Sequence, residues 1–479
     1  MKNYFRYIIL GFSIVNLACN DWLNIQPKAE TSQDVIFSTP DGYESALMGV
    51  YSLLTEPSLY SSNLTMGTMD IIGQYYDISP KVGYSFTDIQ KLDYKSPVLT
   101  SFFNSVWSCF YEAIANCNVL IEELEKSGKT VLLPHRFHII KGEAYSLRAF
   151  LHLELNRMFA ARYVDGTEKS IPYVEQFDMQ ISKHLSQEEV MAKIIKDFQI
   201  GIAELKEGDD PAISGNLGLN MDESETIDFF MSSRSERLNY YAAYALLARA
   251  YMWKGDRDNA LVAIDTVLNT KNYPKYPTNE WTFSAPNNED LLVSSEIIFR
   301  LRDEKILKSY EWFTKIEQNN YSGFLALKNI EEYFIDGGDY RKIHSIKTNN
   351  SEMYPYSIKY KKGDDYSVGR RIPVIRVAEL LYYKAEILYD KQPQEAIRIL
   401  DDFQKTRGIA VEVDKSVNKK DFIKLITQDA RREFIGEGQF FLFNKRLGQN
   451  LYYGKKEIQM EDFWIFPKPD GELEFIQSK

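Results

Sequence analysis

Apolar residues recur at helical spacing over long segments of this 479-residue chain, and this pattern restricts the folds open to it. In SFFNSVWSCFYEAIANCNVLIEELEK, residues 101–126, apolar side chains recur from Val106 through Phe110 to Ile114 and beyond. Residues at this spacing share one face of an α-helix, so the segment predicts a long helix with one buried side. The same periodicity predicts further helices at 41–56, 135–160 and 186–205. We therefore expect a mainly α fold.

A helical hairpin within the chain resembles a tetratricopeptide repeat. In LNYYAAYALLARAYMWKGDRDNALVAIDTVLNT, residues 238–270, the first helix is predicted to end near Trp253 and Gly255 to form the turn. Ala260 has the small side chain that a close approach of two helices requires. One repeat is also compatible with an ordinary helical hairpin. Together with the helices predicted before it, the segment favours an array of about four tetratricopeptide-like hairpins.

The composition changes from Tyr273 to about Lys362, where Pro, Gly, Asn and Tyr are frequent and only short strand-like stretches such as EIIFRLR and YSIKYKK occur. Helices are predicted again from Pro373, in PVIRVAELLYYKAEILYD. A long irregular segment on a rigid helical frame is where binding residues tend to collect. We expect four parts: a signal peptide at 1–18, a lipidated tail at 19–38, an N-terminal helical region at 39–272 and a C-terminal region at 273–479.

The N-terminus is typical of a secretory signal. Lys2 and Arg6 precede a largely apolar run that is too short to cross a ~30 Å hydrocarbon core as a helix. The run ends in Leu-Ala-Cys, which resembles the signal of bacterial lipoproteins, so Cys19 is the predicted lipidation site. An ordinary signal peptide with an incidental cysteine is the alternative, because Asn16 stands where such signals usually have leucine.

Charge and cysteine content exclude several classes of function. The formal net charge is −11, and removal of Lys2 and Arg6 with the signal gives −11 − 2 = −13. Such an acidic surface disfavours nucleic acid and anionic lipid, so we expect membrane attachment through acyl chains. Cys109 and Cys117 are too far apart in one helix for a disulfide and are predicted to be small core residues. No HExxH or Cys/His spacing occurs, and we expect no metal and no cofactor.

Six separated motifs, in order along the chain, resemble those of the SusD/RagB family, the starch-utilisation-type outer-membrane lipoproteins of Bacteroidetes. They are CNDWLNIQP from Cys19, GEAYSLRAFLHLELNRMFA (142–160), GGDYR (337–341), PVIRVAELLYYKAEIL (373–388), RREFIGEGQFFLFNKRLG (431–448) and FPKPDGEL (466–473). The sequence departs from the family pattern at Asn24, Phe440 and Asn444, which are scaffold positions.

The resemblance implies a nutrient-binding lipoprotein, anchored in the outer membrane at the cell surface. Proteins of this family cover a SusC-type TonB-dependent transporter and deliver ligand to it without catalysis. The ligand is commonly a glycan and, in the RagB branch, a peptide. Within the binding interpretation, the sequence leaves glycan and peptide open.

Candidate ligand-binding residues are aromatic and polar side chains in loop-like contexts, since flat rings stack on sugars and polar groups bind hydroxyls. The composition is 14% aromatic, with 32 Tyr; some of these rings must lie in the core, but so much Tyr also suits a surface that faces carbohydrate or peptide. The candidates are Tyr75, Tyr76 and Asp77 in one group, Asn279 and Trp281 in a second, and Trp312 alone. Trp107 and Trp253 lie on predicted helical faces and are expected in the core.

Two other classes of function remain as alternatives. One is a tetratricopeptide-type scaffold that binds a protein tail, which the signal and the C-terminal motifs disfavour. The other is a surface glycoside hydrolase or peptidase, although no GxSxG or HExxH motif occurs. Glu433 and Glu437 lie one helical turn apart, as a glycosidase pair could. We expect them instead to form salt bridges with Arg432 and Arg446. Similar pairs are expected for Arg148 with Glu143 and for Arg376 with Glu379 and Glu386.

Overall fold

The computed structural model describes residues 33–472 except 79–83, 178–181, 210–228, 233, 235–236, 270–290, 315–323, 349–353, 362–369 and 454. The helices are α1 Gln33–Ile36, α2 Pro40–Leu54, α3 Thr68–Ile72, α4 Tyr84–Gln90, α5 Pro97–Glu123, α6 Lys129–Val131, α7 Pro134–Phe159, α8 Gln187–Asp209, α9 Phe229–Ser232, α10 Tyr240–Lys254, α11 Arg257–Leu268, α12 Lys305–Thr314, α13 Ile330–Tyr333, α14 Tyr340–Ser345, α15 Val377–Leu388, α16 Pro393–Thr406, α17 Lys419–Glu433 and α18 Phe440–Leu447. The strands are β1 Tyr76–Asp77, β2 Lys169–Pro172, β3 His184–Ser186, β4 Ile297–Arg302, β5 Ala326–Leu327, β6 Ile346–Thr348, β7 Pro355–Ser357, β8 Arg371–Arg376, β9 Leu451–Tyr453 and β10 Lys456–Ile458. The predicted mainly α fold is confirmed.

The N-terminal helices pack as successive hairpins, α5 against α7, α7 against α8, α8 against α10 and α10 against α11. The turn between α10 and α11 is made by Gly255, whose φ of 80° favours glycine because a Cβ is strained there. Ala260 is fully buried beside α10, and Trp107 and Trp253 lie in the core. The tetratricopeptide-like hairpin predicted from this segment is therefore confirmed.

Helix α8 begins with a reciprocal cap formed by Ser186 and Glu189. The Glu189 carboxylate accepts hydrogen bonds from the Ser186 backbone N–H at 2.9 Å and from its hydroxyl at 2.8 Å. The Ser186 hydroxyl oxygen in turn accepts from the Glu189 backbone N–H at 3.3 Å. This capping box satisfies donors that the first turn of a helix leaves without partners.

Helices α7 and α8 approach so closely that glycine is required at their contact. A Cβ added to Gly201 would lie 2.8 Å from the backbone oxygen of Gly142 and 2.1 Å from the hydroxyl of Ser146. We expect Gly201→Ala to lower the free energy of unfolding by ~1–3 kcal/mol, because the two helices must move apart. Chemical denaturation measures the change. Gly49→Ala is the matched control, since Gly49 is an exposed position of α2 with no atom within 4 Å, and there alanine should not destabilise.

The strands form short antiparallel pairs, β1–β5, β2–β3, β4–β8, β6–β7 and β9–β10. The prediction of a helix from Pro373 is wrong at its start. Residues 371–376 form strand β8, and helix α15 begins at Val377. The apolar side chains of this stretch are buried against β4, with Ile372 opposite Leu301 and Ile375 opposite Phe299. A buried run of β-branched residues suits a strand as well as a helix.

A buried lattice of ion pairs joins the C-terminal helices. Arg376 donates to Glu433 Oε1 at 2.7 Å and to Glu437 Oε2 at 2.9 Å. Arg407 donates to the same Glu433 carboxylate at 2.8 Å and to Glu296 at 2.8 Å. Burial by itself would raise the pKa of Glu433, but the guanidinium groups of Arg407 and Arg376 hold it well below its usual value. These carboxylates therefore serve as charged structural partners.

The lattice exists as the sequence predicts, but its pairs differ from those expected. Arg432 pairs with Asp429, Arg446 with Glu386, Arg148 with Asp197, and Glu143 with Arg234, while Arg376 binds Glu433 and Glu437 rather than Glu379 and Glu386. All of these partners except Asp429 come from another helix or loop. Spacing along one helix therefore finds the charged residues without finding their partners.

Candidate functional site

The structure places the predicted site residues in three situations. Cys19, Asn279 and Trp281 lie outside the described residues. Tyr75 and Tyr76 are buried, with 0% and 4% of their surface exposed. The Tyr75 hydroxyl donates to the backbone oxygen of Arg431 at 2.7 Å, which ties it to the end of α17. Because both rings are buried, neither tyrosine can stack its ring face on a ligand, and both are part of the protein core.

Buried Asp70 fixes the position of Tyr76. Its carboxylate accepts hydrogen bonds from the backbone N–H groups of Gly436 at 2.6 Å and Gly438 at 2.9 Å. The Tyr76 hydroxyl donates to it at 3.3 Å. Burial raises the pKa of Asp70 to about 8, although the two backbone donors act to lower it. Gly438 has φ +68°, and a Cβ there would lie 2.0 Å from the backbone oxygen of Leu64. The glycine-containing turn between α17 and α18 is thus locked against α3.

Asp77 is the exposed member of the first group. Its Oδ1 accepts a hydrogen bond from the Tyr453 hydroxyl at 3.1 Å and lies 3.9 Å from the ammonium of Lys328. The same ammonium lies 3.0 Å from the centre of the Tyr453 ring, which makes a cation–π contact. This three-residue cluster joins β1 and β5 to the β9–β10 hairpin.

Trp312 lies on α12 with 56% of its surface exposed, whereas the next residue, Phe313, is buried. Phe313 packs against Phe86 of α4 with ring centres 6.1 Å apart. The inward face of α12 therefore anchors the helix, and its outward face presents an indole ring to solvent. An exposed tryptophan on an anchored helix is a suitable platform for stacking on a flat apolar ligand face.

A narrow cleft lies beside the inward side of α12 and brings Tyr76 together with that helix. Four aromatic side chains line it: Tyr76, Tyr310, Phe313 and Tyr360. Thr314 and Ser357 add hydroxyl groups. An aromatic wall with a few polar groups is the usual composition of a small-molecule site. The sequence did not single out Tyr310 and Tyr360, although Tyr310 lies two residues before the predicted Trp312.

A second narrow cleft lies on the other side of Ser357, which lines both. Its wall includes Arg341, Lys359, Arg376 and Glu433. These cations are paired with Glu433 and with carboxylates behind the wall, since Arg341 pairs with Asp339 and Asp429, and Arg376 and Lys359 with Glu437. The wall is consequently part of the ion-pair lattice.

Within the residues that the structure describes, no three His, Cys, Asp or Glu side chains are grouped so that they could hold a metal ion. None of the helices they form is both long and apolar enough to cross a membrane.

Residues 22–209 match a family model described as SusD-like, "starch-binding associating with outer membrane". No curated protein matches the chain.

Three solved structures illustrate the similarity of fold. A SusD-like carbohydrate binding protein from Bacteroides vulgatus is 20% identical, with 86% of this chain and 84% of that chain covered and a TM-score of 0.65. A SusD superfamily protein from Bacteroides thetaiotaomicron is 20% identical, with 91% and 98% covered and a TM-score of 0.67. Another from B. vulgatus is 17% identical, with 92% and 97% covered and a TM-score of 0.68. At these identities the solved structures establish the fold.

Proposed function

We propose, for this member of the SusD-like family, that the protein is a cell-surface lipoprotein which binds a glycan and passes it unchanged to a SusC-like TonB-dependent transporter. The family description, with starch binding at the outer membrane, supports a carbohydrate ligand and this location. Acylation of Cys19 would hold the chain in the membrane, because more than one acyl chain anchors stably. The described residues begin 14 positions later, at Gln33.

The single observation that carries the proposal is the exposed indole of Trp312 on α12, whose other side borders the tyrosine-lined cleft. Sugars expose C–H groups on one ring face and hydroxyl groups at the edges. An indole on the outward face of α12 can stack on the C–H face of a sugar. This suits an oligosaccharide lying across the exposed side of α12.

Binding without catalysis agrees with the pairing of Glu433 and Glu437, the two carboxylates that could have formed a glycosidase pair. A glycoside hydrolase needs one carboxyl with a raised pKa as the general acid. Glu433 has its pKa held well below the usual value by Arg407 and Arg376, so it is a poor proton donor. Glu437 is engaged by Arg376 at 2.7 Å and by Lys359. Neither residue of the pair is therefore arranged for acid catalysis.

Replacement of Trp312 by alanine tests the proposal. We expect Trp312→Ala to weaken binding of the best oligosaccharide about tenfold, because the stacking surface is lost. Isothermal titration of the mature protein with a panel of plant and microbial oligosaccharides measures the affinity. Chromatography of each mixture should recover the sugar uncleaved.

The matched control is Phe177→Ala, since Phe177 is another exposed aromatic residue, with 64% of its surface accessible, outside both clefts. Its affinity should equal that of the unmodified protein. Equal affinity of the Trp312 and Phe177 variants would reject the site. Sugar cleavage, or binding of peptides in preference to every sugar, would reject the function.

A further inference from the structure

The β9–β10 hairpin presents a polar and aromatic face to solvent. Tyr452 is directly opposite Glu457 in the antiparallel pair. Successive residues of a strand point to opposite sides, so Asn450 and Gln459, two positions further along, share the side of Tyr452 and Glu457. We call these four residues the hairpin outer face. Tyr452 has 45% of its surface exposed, and Glu457 and Gln459 are exposed as well.

The opposite side of the hairpin fixes it to the body of the protein. Leu451 is buried, with 1% of its surface exposed. Tyr453 donates to Asp77 at 3.1 Å and receives the Lys328 ammonium over its ring. Since Asp77 follows Tyr76 on β1, the hairpin is attached to the same short strand that borders the tyrosine-lined cleft. The hairpin outer face is therefore held in a fixed position on the body of the protein.

Hydrogen bonds within the hairpin outer face hold its polar groups in place. Asn450 Nδ2 donates to Glu457 Oε1 and to Gln459 Oε1, both at 3.1 Å. The Tyr452 hydroxyl donates to Glu457 Oε1 at 3.3 Å. The backbone N–H of Met460 donates to Asn450 Oδ1 at 3.0 Å, which orients the central amide. The carboxylate and the two amides are thus arranged before any ligand arrives.

This network leaves one acceptor and one donor available side by side. In the part of the chain that the structure describes, neither Glu457 Oε2 nor Gln459 Nε2 makes a hydrogen bond. A carboxylate oxygen accepts from a hydroxyl, and an amide nitrogen donates to one. Neighbouring hydroxyl groups of a sugar ring can satisfy both at once, while the Tyr452 ring offers its face to the sugar C–H groups.

We propose that the hairpin outer face is a second carbohydrate-binding surface, which takes an uncharged sugar unit of a glycan. Tyr452 stacks on the sugar, Glu457 accepts a hydrogen bond from one hydroxyl, and Gln459 donates to the adjacent hydroxyl. The negative charge of Glu457 disfavours uronate and sulfated sugars. This inference rests on the proposed function, and extends it to a long, neutral glycan that contacts the protein at two places.

Affinity electrophoresis of the mature protein in gels containing starch, xylan, galactomannan or polygalacturonate tests the inference. We expect Tyr452→Ala to weaken retardation by the preferred neutral polysaccharide about threefold to tenfold, as loss of one aromatic stacking contact predicts. Tyr452→Phe keeps the ring and should stay within about twofold of the unmodified protein. Circular dichroism and thermal unfolding establish that each variant is folded, and Phe177→Ala serves as the exposed aromatic control.

The outcomes separate this inference from the proposed function. If Trp312→Ala abolishes retardation and Tyr452→Ala leaves it unchanged, the second surface is rejected and the proposed function stands. If only polygalacturonate retards the protein, the choice of a neutral glycan is rejected. If no polysaccharide or oligosaccharide binds the unmodified protein, the proposed function fails and this inference fails with it.

Discussion

Replacement of Arg376 by methionine is expected to lower the free energy of unfolding by ~3–5 kcal/mol, the usual cost of removing one partner from a buried ion pair. The Arg376 side chain has 1% of its surface exposed and donates four hydrogen bonds to Glu433 and Glu437. Without it, Glu437 keeps Lys359, and Glu433 keeps Arg407 and Arg341. The negative charges of the two buried carboxylates would then be less fully compensated, which destabilises the folded state.

Urea denaturation of the mature protein measures this effect, with Arg398→Met as the matched control. Arg398 also has two carboxylate partners, Glu395 at 2.6 Å and Asp402 at 2.8 Å, but its side chain is 61% exposed. Because solvent screens exposed pairs, the control should lose at most ~1 kcal/mol. Equal losses in the two variants would contradict a stabilising role for the buried lattice.

Much of the helical architecture could be predicted because its determinants are local. The periodic apolar positions of α5, and the Gly255 turn between α10 and α11, can each be recognised from a few dozen consecutive residues. The strand β8 was not predictable in this way, since its partner β4 lies about seventy residues earlier in the chain. Only that pairing makes a strand of residues 371–376.

The candidate site was less predictable than the fold, because exposure depends on distant neighbours. Tyr75 and Tyr76 follow Gly73-Gln74 and precede an aspartate, a context typical of a loop, yet α17, α18 and the turn between them bury both rings. Trp312 has a similar polar context and is exposed. The hairpin outer face had only a weak local signal, a glycine between a short aromatic run and a short charged run in NLYYGKKEIQ.

His152 illustrates a core group whose chemistry only the structure reveals. It lies inside α7 with 0% of its surface exposed and stacks on Tyr173 with ring centres 3.8 Å apart. The backbone N–H of Val174 donates to Nε2 at 3.1 Å, and Nδ1 donates to the Arg148 oxygen at 2.9 Å. The ring is therefore neutral, with its proton on Nδ1. Burial lowers the pKa of His152 from 6.5 to about 3.

The sign of the resulting pH dependence follows from the two pKa values. Since the folded state excludes a proton that the unfolded state accepts, the stability contributed by His152 is complete above pH 6.5. It falls as the pH drops toward 3, by ~2.5 kcal/mol at pH 4.5. Asp70 acts in the opposite sense, because its pKa of about 8 favours the folded state as the pH falls from 8 toward 3.8. The unmodified protein alone would therefore show a partly cancelled dependence.

Comparison with His152→Phe isolates the histidine, because the contributions of Asp70 and the surface carboxylates are common to both proteins. At pH 7.5 the variant should be less stable, since Val174 and Arg148 lose hydrogen bonds. The difference in free energy of unfolding should then shrink, or change sign, by ~2.5 kcal/mol between pH 7.5 and pH 4.5. Denaturation at four pH values measures it. A difference for His152→Phe that stays constant with pH would show that the buried ring is protonated as readily in the folded as in the unfolded chain.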